Sequence, residues 1–214
     1  MFYLYMKMVT TYLLAAFVGY FLGAFPTGYI LGRLWKGIDI REYGSGRTGG
    51  ANILRTVGAF PAVITALGDV GKGVVAVLVA RALWHNEAAA VMAALAALVG
   101  HDWSVFLGWR GGAGVTTTMG ALLVLEPVAT LVAALLGFPV IALSRYASLG
   151  SLAFAFLIPL VLLGKRLLFR GSWEHLAYGI LAGGIIIFAH RSNIGRLLKG
   201  TERRIGEAGK RRSR

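Results

Sequence analysis

The sequence predicts an all-α, polytopic membrane protein with seven transmembrane helices, its N-terminus outside and its C-terminus cytoplasmic. Three observations carry that prediction. The 214 residues are 57% hydrophobic and only 14% charged, with a mean hydropathy of +0.70, whereas a soluble domain carries about 25% charged residues. Apolar windows fall at about 11–34, 60–82, 88–100, 115–143, 147–164 and 174–189, several long enough to cross a ~30 Å hydrocarbon core at ~1.5 Å per residue. Lysines and arginines collect in segments that a seven-span arrangement places on one side.

The first window, Thr10 to Leu34, is too long for the apolar core of a secretory signal. It ends in basic residues rather than a cleavage site, so it is read as a span. The second contains Asp69 and Lys72, which share a helical face at i,i+3; ionisable groups inside a membrane are costly, and these two either pair structurally or serve a function. The window 115–143 holds 29 residues, ~43 Å as one helix and too long for one crossing. Glu126-Pro127 interrupts it, and a proline there ends one helix or begins another. Splitting at that point gives two spans, of which Val115 to Leu125 is short at ~17 Å and needs shielding by neighbours or a partial crossing. The windows 147–164 and 174–189 complete the seven.

Charge decides between six spans and seven. With seven and an external N-terminus, sixteen basic residues lie inside and five outside, Lys72 being within a span. Six spans would place the nine basic residues after position 190 outside and separate the last polar segment from the other two. The net charge of +13 matches an anionic cytoplasmic leaflet, and without a basic helix apart from the spans it does not indicate nucleic acid. No internal repeat or linker divides the chain. Residues 1–202 read as one membrane domain and 203–214 as a basic cytoplasmic tail, lying loosely on the surface against anionic lipid.

Several chemistries are excluded. There is no cysteine, hence no disulfide, thiolate metal site or cysteine nucleophile. The nine acidic residues form no cluster for a metal, and nothing calls for a cofactor. No Gly-x-Ser-x-Gly elbow occurs, nor the His-x4-Asp of coenzyme-A-dependent glycerolipid acyltransferases.

Three polar segments interrupt the apolar chain at the inside ends of the spans. The first is Gly44-Ser45-Gly46-Arg47-Thr48-Gly49-Gly50-Ala51-Asn52-Ile53-Leu54-Arg55. The second runs from Gly100-His101-Asp102-Trp103 to Arg110-Gly111-Gly112-Ala113-Gly114-Val115-Thr116-Thr117. The third is His190-Arg191-Ser192-Asn193-Ile194-Gly195-Arg196, followed by Gly200-Thr201-Glu202. Glycines let backbone N–H groups converge on an anion, and a helix starting near Val115 would add its N-terminus; the same glycines also suit a tight turn between packed helices. The arginines offer planar donors matched to phosphate, although each alone also fits lipid anchoring. Ser45 and Asn52 gain nothing from lipid and offer directional hydrogen bonds or local caps. His101 and His190 stand at span ends as caps, phosphate-orienting groups or proton acceptors.

Taken together, the three segments resemble the motifs of the bacterial acyl-phosphate:glycerol-3-phosphate acyltransferases, the PlsY family. The first is similar to Gly-Ser-Gly-Asn-x-Gly-Ala-Thr-Asn-x-Leu-Arg, through Gly44, Ser45, Gly46, Gly49, Asn52, Leu54 and Arg55. The second is similar to Gly-His-x-Phe with Lys-Gly-Gly-Lys-Gly-Val-Ala-Thr, through Gly100, His101, Gly111, Gly112, Gly114, Val115 and Thr117. The third is similar to His-Arg-x-Asn-Ile-x-Arg with Gly-Thr-Glu, through His190, Arg191, Asn193, Ile194, Arg196 and Gly200 to Glu202. Asp69-x-x-Lys72-Gly73 and Arg145-Tyr146-Ala147-Ser148-Leu149-Gly150 also resemble family segments, so the likeness covers nearly the whole chain.

That resemblance implies a multi-pass enzyme of the bacterial inner membrane with its site facing the cytoplasm. It would move a fatty acyl group from acyl phosphate to the 1-hydroxyl of glycerol 3-phosphate, giving lysophosphatidic acid and phosphate. Ser45, Arg55, His101, His190 and Asn193 are the expected catalytic residues. Gly44, Gly46, Arg47, Asn52, Gly111, Gly112, Gly114, Thr117, Arg191 and Glu202 are the expected substrate-binding residues. The partners are the two substrates and membrane lipid. A divergent paralogue, or an organic-phosphate transporter using the same segments, is the alternative, although a transporter would show paired halves and mid-membrane breaks. Two positions depart from the pattern: Arg47 stands where the family has Asn, and Ala113 where it has a second Lys. If the first two segments meet, Arg47 can supply the missing charge.

Overall fold

Among the described residues, long apolar runs, punctuated by proline, glycine and capping residues, fold into ten α-helices. The computed structural model describes residues 1–209 and 211. In chain order the helices are α1 (Phe2–Ala24), α2 (Thr27–Lys36), α3 (Gly50–Thr56), α4 (Ala59–Trp84), α5 (Glu87–Asp102), α6 (Val115–Leu125), α7 (Pro127–Ser144), α8 (Ala147–Phe169), α9 (Trp173–Ala189) and α10 (Arg191–Leu198), with 3₁₀ turns at Ile40–Glu42 and Val105–Leu107. No strand forms among the described residues. Caps are readable at two starts: Asn86 Oδ1 accepts from the Ala89 N–H and Ser172 Oγ from the His175 N–H, filling orphan donors of the first turn. Among the described residues, five stretches are long and apolar enough to cross a membrane: Phe2–Lys36, Ala59–Trp84, Glu87–Leu107, Pro127–Ser144 and Ala147–Phe169. α6 and α9 are apolar but shorter.

Three expectations change here. The first span starts at Phe2 rather than near residue 11 and is broken at Phe25-Pro26, because proline removes a backbone donor and keeps the residue before it out of the α region. Phe25 accordingly sits at φ −56°, ψ 122°. The third polar segment is a helix, α10, rather than a loop. The C-terminal tail does not lie loose where it is described. The Ile205 N–H donates to the Arg145 carbonyl (2.7 Å), the Gly209 N–H to the Arg55 carbonyl (3.0 Å), and Arg211 pairs with Glu42 at 3.2 Å. The rest of the tail, positions 210 and 212–214, lies outside the described residues.

Small residues hold the spans together, as expected where lipid removes most of the hydrophobic drive between helices. Gly19 and Gly23 of α1 lie against the backbone of Ala93 and Ala97 of α5, while Gly73 of α4 and Gly120 of α6 admit the backbones of Thr117 and Val70. α6 is thereby enclosed: Thr117, Thr118, Gly120, Ala121 and Leu122 are all buried.

The break between α6 and α7 is held by a charged cluster. Glu126 pairs with Lys165 and with His175 Nδ1 (2.8 Å), His175 Nε2 meets Glu87 (2.7 Å), and Glu87 takes Arg81. Burial opposes ionisation of Glu126, but hydrogen bonds from Lys165 and His175 outweigh it and hold the carboxyl below its ordinary range. At the other end of the fold the three polar segments meet.

Candidate functional site

The first segment is shaped by one buried amide. Asn52, on α3, accepts the Ser45 N–H at Oδ1 (3.0 Å) and turns Nδ2 to the carbonyls of Arg47 (2.9 Å), Tyr43 (3.0 Å) and Ile40 (3.3 Å). Gly44, at φ 54°, leaves room for Asn52 Oδ1 where a Cβ would stand. Asn52 is 2% exposed, and its hydrogen-bonding capacity is taken up within the loop. Its amide thus shapes the wall of the site. Gly44 and Gly46 likewise serve the turn.

The second segment departs further from expectation. The Gly111 N–H donates to the Asp102 carbonyl (3.0 Å) and the Gly112 N–H to the His101 carbonyl (2.9 Å), so neither amide is available to an anion. These glycines are required for closeness instead: a Cβ on Gly112 would occupy the position of His101 Nε2, and one on Gly111 would strike the His101 carbonyl. The free backbone donors lie farther on, in the first turn of α6. Gly114, at φ 70°, turns the chain into that helix, whose leading N–H groups lack intrahelical partners. Thr117 is fully buried and faces inward, whereas Thr116 lines the cavity.

Arg47 reaches from the first segment to the other two. Nη1 donates to the Gly112 carbonyl and Nη2 to the Ala189 carbonyl, and the Thr48 N–H bonds the Gly111 carbonyl (3.3 Å). Burial lowers the pKa of its guanidinium, opposed by Asp102 and reinforced by Arg191. Beneath it, Asp69 pairs with Lys72 at 2.9 Å and lies 3.6 Å from His101 Nδ1.

The third segment presents His190 and Asn193. His190 Nδ1 lies 2.8 Å from the Ile186 carbonyl; a carbonyl only accepts, so Nδ1 carries the proton and Nε2 keeps a lone pair. Burial lowers the His190 pKa, Arg47 adds to this, and the Ile186 hydrogen bond opposes it. Glu202 is enclosed by donors: Ser148 Oγ (2.9 Å), Asn193 Nδ2 (2.7 Å) and Arg196 Nε (2.6 Å). Burial resists its ionisation, but these bonds outweigh it and keep the carboxyl below its ordinary range. Arg55 donates through Nη2 to the Arg203 carbonyl (3.1 Å), and its Nε is without a partner among the described residues.

These groups surround a cavity of about 280 Å³ whose lining includes Ser45, Arg47, Arg55, His190 and Asn193. α6 and α8 both begin on it, adding two positive helix ends. A second, almost wholly apolar cavity of about 440 Å³ lies between α6, α7 and α8, and the two share Val115, Met119, Ile141 and Ser151. All five expected catalytic residues line the polar cavity, as do Arg47, Asn52, Gly114 and Glu202. Gly44, Gly46, Gly111, Gly112, Thr117 and Arg191 do not; Arg191 points outward over the Phe188 ring at 4.4 Å. Sequence reasoning missed Ser148, Ser151 and Thr116. The run Arg145-Tyr146-Ala147-Ser148 carried a signal for the first of these, since a serine one residue into a helix start can face whatever that start faces.

An all-helical bundle with a cationic cavity at one end and an apolar groove opening from it defines a multi-pass membrane protein equipped to hold an amphiphilic phosphate. A profile described as glycerol-3-phosphate acyltransferase matches residues 13–200. The chain is 46% identical over 203 residues to the glycerol-3-phosphate acyltransferase of Synechococcus sp. (strain CC9902), covering 95% of this chain and all of that protein. It is 43% identical over 196 residues to glycerol-3-phosphate acyltransferase 2 of Moorella thermoacetica, covering 92% and 98%. The crystal structure of the integral membrane acyltransferase PlsY in its glycerol 3-phosphate form superposes with a TM-score of 0.84 at 32% identity, over 91% of this chain and 96% of that one. Its lysophosphatidic acid form gives 0.80 at 31% identity, over 91% and 95%. The chain belongs to the glycerol-3-phosphate acyltransferase family.

Proposed function

We propose that the protein transfers a fatty acyl group from acyl phosphate to the 1-hydroxyl of glycerol 3-phosphate, forming lysophosphatidic acid and inorganic phosphate. The observation that carries this reading is the joining of a cationic polar cavity to an apolar groove through Val115, Met119, Ile141 and Ser151. A reaction that brings a small phosphate ester to a fatty acyl carbonyl needs that pairing, and the relatives named above are acyltransferases acting on glycerol 3-phosphate.

In the mechanism proposed, the leading amides of α6 with Arg47 and Arg55 hold phosphate, and Ser45 and Asn193 orient the reactants. The acyl tail lies in the groove along α7. The glycerol oxygen attacks the carbonyl carbon and its proton passes to His190 Nε2. The carbonyl then re-forms as the carbon–oxygen bond to phosphate breaks. Phosphate is a good leaving group, so orientation and charge stabilisation carry most of the rate. Glu202 acts through Asn193 and Ser148 rather than on substrate, since a carboxylate would repel phosphate.

The finer topology belongs to the same proposal. α6 and α9 complete seven spans, the N-terminus is outside, and the site and the basic tail face the cytoplasm of a bacterial inner membrane. The sixteen-to-five distribution of basic residues supports that orientation. The test is purified protein in lipid vesicles supplied with acyl phosphate and glycerol 3-phosphate. Lysophosphatidate and phosphate should appear in equal amounts, and acyl-coenzyme A or acyl-carrier-protein should give none. No product from acyl phosphate would sink the reading.

A further inference from the structure

We infer that Arg47 is the cation that binds substrate phosphate over the N-terminus of α6, a task the second segment cannot perform with its own side chains. This rests on the acyl-transfer reading. From Gly111 to Thr118 that segment carries no basic residue, so the seat offers only backbone dipoles. Arg47 crosses to it from the first segment, with Nη1 on the Gly112 carbonyl beside Ala113 and Nη2 on the Ala189 carbonyl. It lines the polar cavity next to Ala113 and Gly114.

Two carbonyls explain two of the guanidinium's five N–H donors. They do not explain its charge, because a neutral amide could satisfy both without the cost of burying a cation. What calls for charge is an anion over the first turn of α6. Arg47 lines the same cavity as that turn, Val115 and Thr116, and its three remaining donors are available to phosphate oxygens.

The phosphate in question is that of acyl phosphate or of glycerol 3-phosphate, and kinetics separate the two. R47N, R47K and the double variant R47N/A113K, each as full chain in lipid vesicles, are assayed with one substrate varied while the other is saturating. R47N should raise KM roughly ten- to hundredfold for one substrate only, as for loss of a charge-assisted contact, and weaken inhibition by inorganic phosphate by a similar factor. The substrate affected identifies the phosphate. R47K should stay near wild type, and A113K should restore most of what R47N loses, since a lysine at 113 reaches the same seat. R47K and R47N both lose the two-carbonyl clasp, so a shared folding defect does not imitate this pattern. Equal damage in R47K and R47N, or failure of A113K to rescue, overturns the inference. Absence of wild-type turnover would instead overturn the acyl-transfer reading.

Discussion

Replacing Glu202 tests how the third segment is held. The carboxylate side chain is 3% exposed and accepts from Ser148 and Asn193 at Oε1 and from Arg196 at Oε2. In E202Q the amide oxygen best replaces Oε1, which sets the new NH₂ against Arg196 Nε. One charge-assisted bond is lost, worth ~1.5–3 kcal/mol when buried, but Arg196 is 31% exposed and solvent screening reduces this to about 1–2 kcal/mol. E202A loses the other two bonds as well, at ~1 kcal/mol each, for about 3–4 kcal/mol in all. If Asn193 must be held for turnover, kcat/KM should fall roughly 5- to 30-fold in E202Q and about 10²- to 10³-fold in E202A. The assay is the initial rate of lysophosphatidate formation at limiting substrate. Wild-type rates in E202A, or a lower KM in either variant, would refute the argument, the latter because it would place the carboxylate against substrate phosphate. The pH dependence has a definite sign. The carboxyl titrates below its ordinary 4.5 in the fold, so its contribution is complete above that value and is lost as pH falls through the folded value. The difference in melting temperature between wild type and E202Q should therefore be constant from neutral pH to about 5 and shrink in stronger acid.

At the opposite end, E126A should destabilise by about 2–3 kcal/mol, less than a fully buried pair because the Lys165 side chain is 41% exposed; an unchanged melting temperature in detergent would show that the cluster does not hold the α6–α7 break. G112A should cost ~1–3 kcal/mol by overpacking and most of the activity, since its Cβ and the His101 ring claim the same space. In thermal melts H101A should relieve part of that stability loss, so strictly additive losses would argue against the clash. For His190, whose pKa is lowered from 6.5, the rate should hold as pH falls through the ordinary imidazole range and drop only in stronger acid, as Nε2 is protonated. H190Q should lose ~10²–10⁴-fold in kcat, and a wild-type pH profile in that variant would remove His190 from proton transfer.

Much of this organisation was legible before any coordinates. Proline and glycine act within a turn of where they stand, so Glu126-Pro127 marked the α6–α7 break and the glycines before Val115 marked roughly where α6 starts. Asp69 and Lys72 were readable as a pair because helical geometry alone brings i and i+3 together. The break at Pro26 was available by the same logic, but the length of the apolar window obscured it. What misled was function assigned by residue type. Gly111 and Gly112 looked like anion-binding amides, yet their N–H groups are taken by carbonyls of α5. Asn52 looked like a substrate contact, yet its amide is occupied by its own loop. Arg191 shares its motif with His190 but points outward. In each case the backbone conformation around the segment, rather than the residue type, sets what the side chain or amide meets.

By itself, then, the sequence determined that the chain is a helical membrane protein, that its long apolar window breaks at Glu126-Pro127, and that its polar residues gather in three segments resembling one acyltransferase family. Those properties depend on hydropathy, helical period and local backbone restriction, which are carried by neighbouring residues. Only the tertiary structure decided which polar groups remain free. It joined Arg47 to Gly112 and Ala189, closed Ser148, Asn193 and Arg196 around Glu202, and took up the Gly111 and Gly112 amides while leaving the first turn of α6 open. Hydrogen-bond capacity is finite, and the partners that use it up lie far apart in sequence. A residue's chemistry is written locally, but its availability is set by packing.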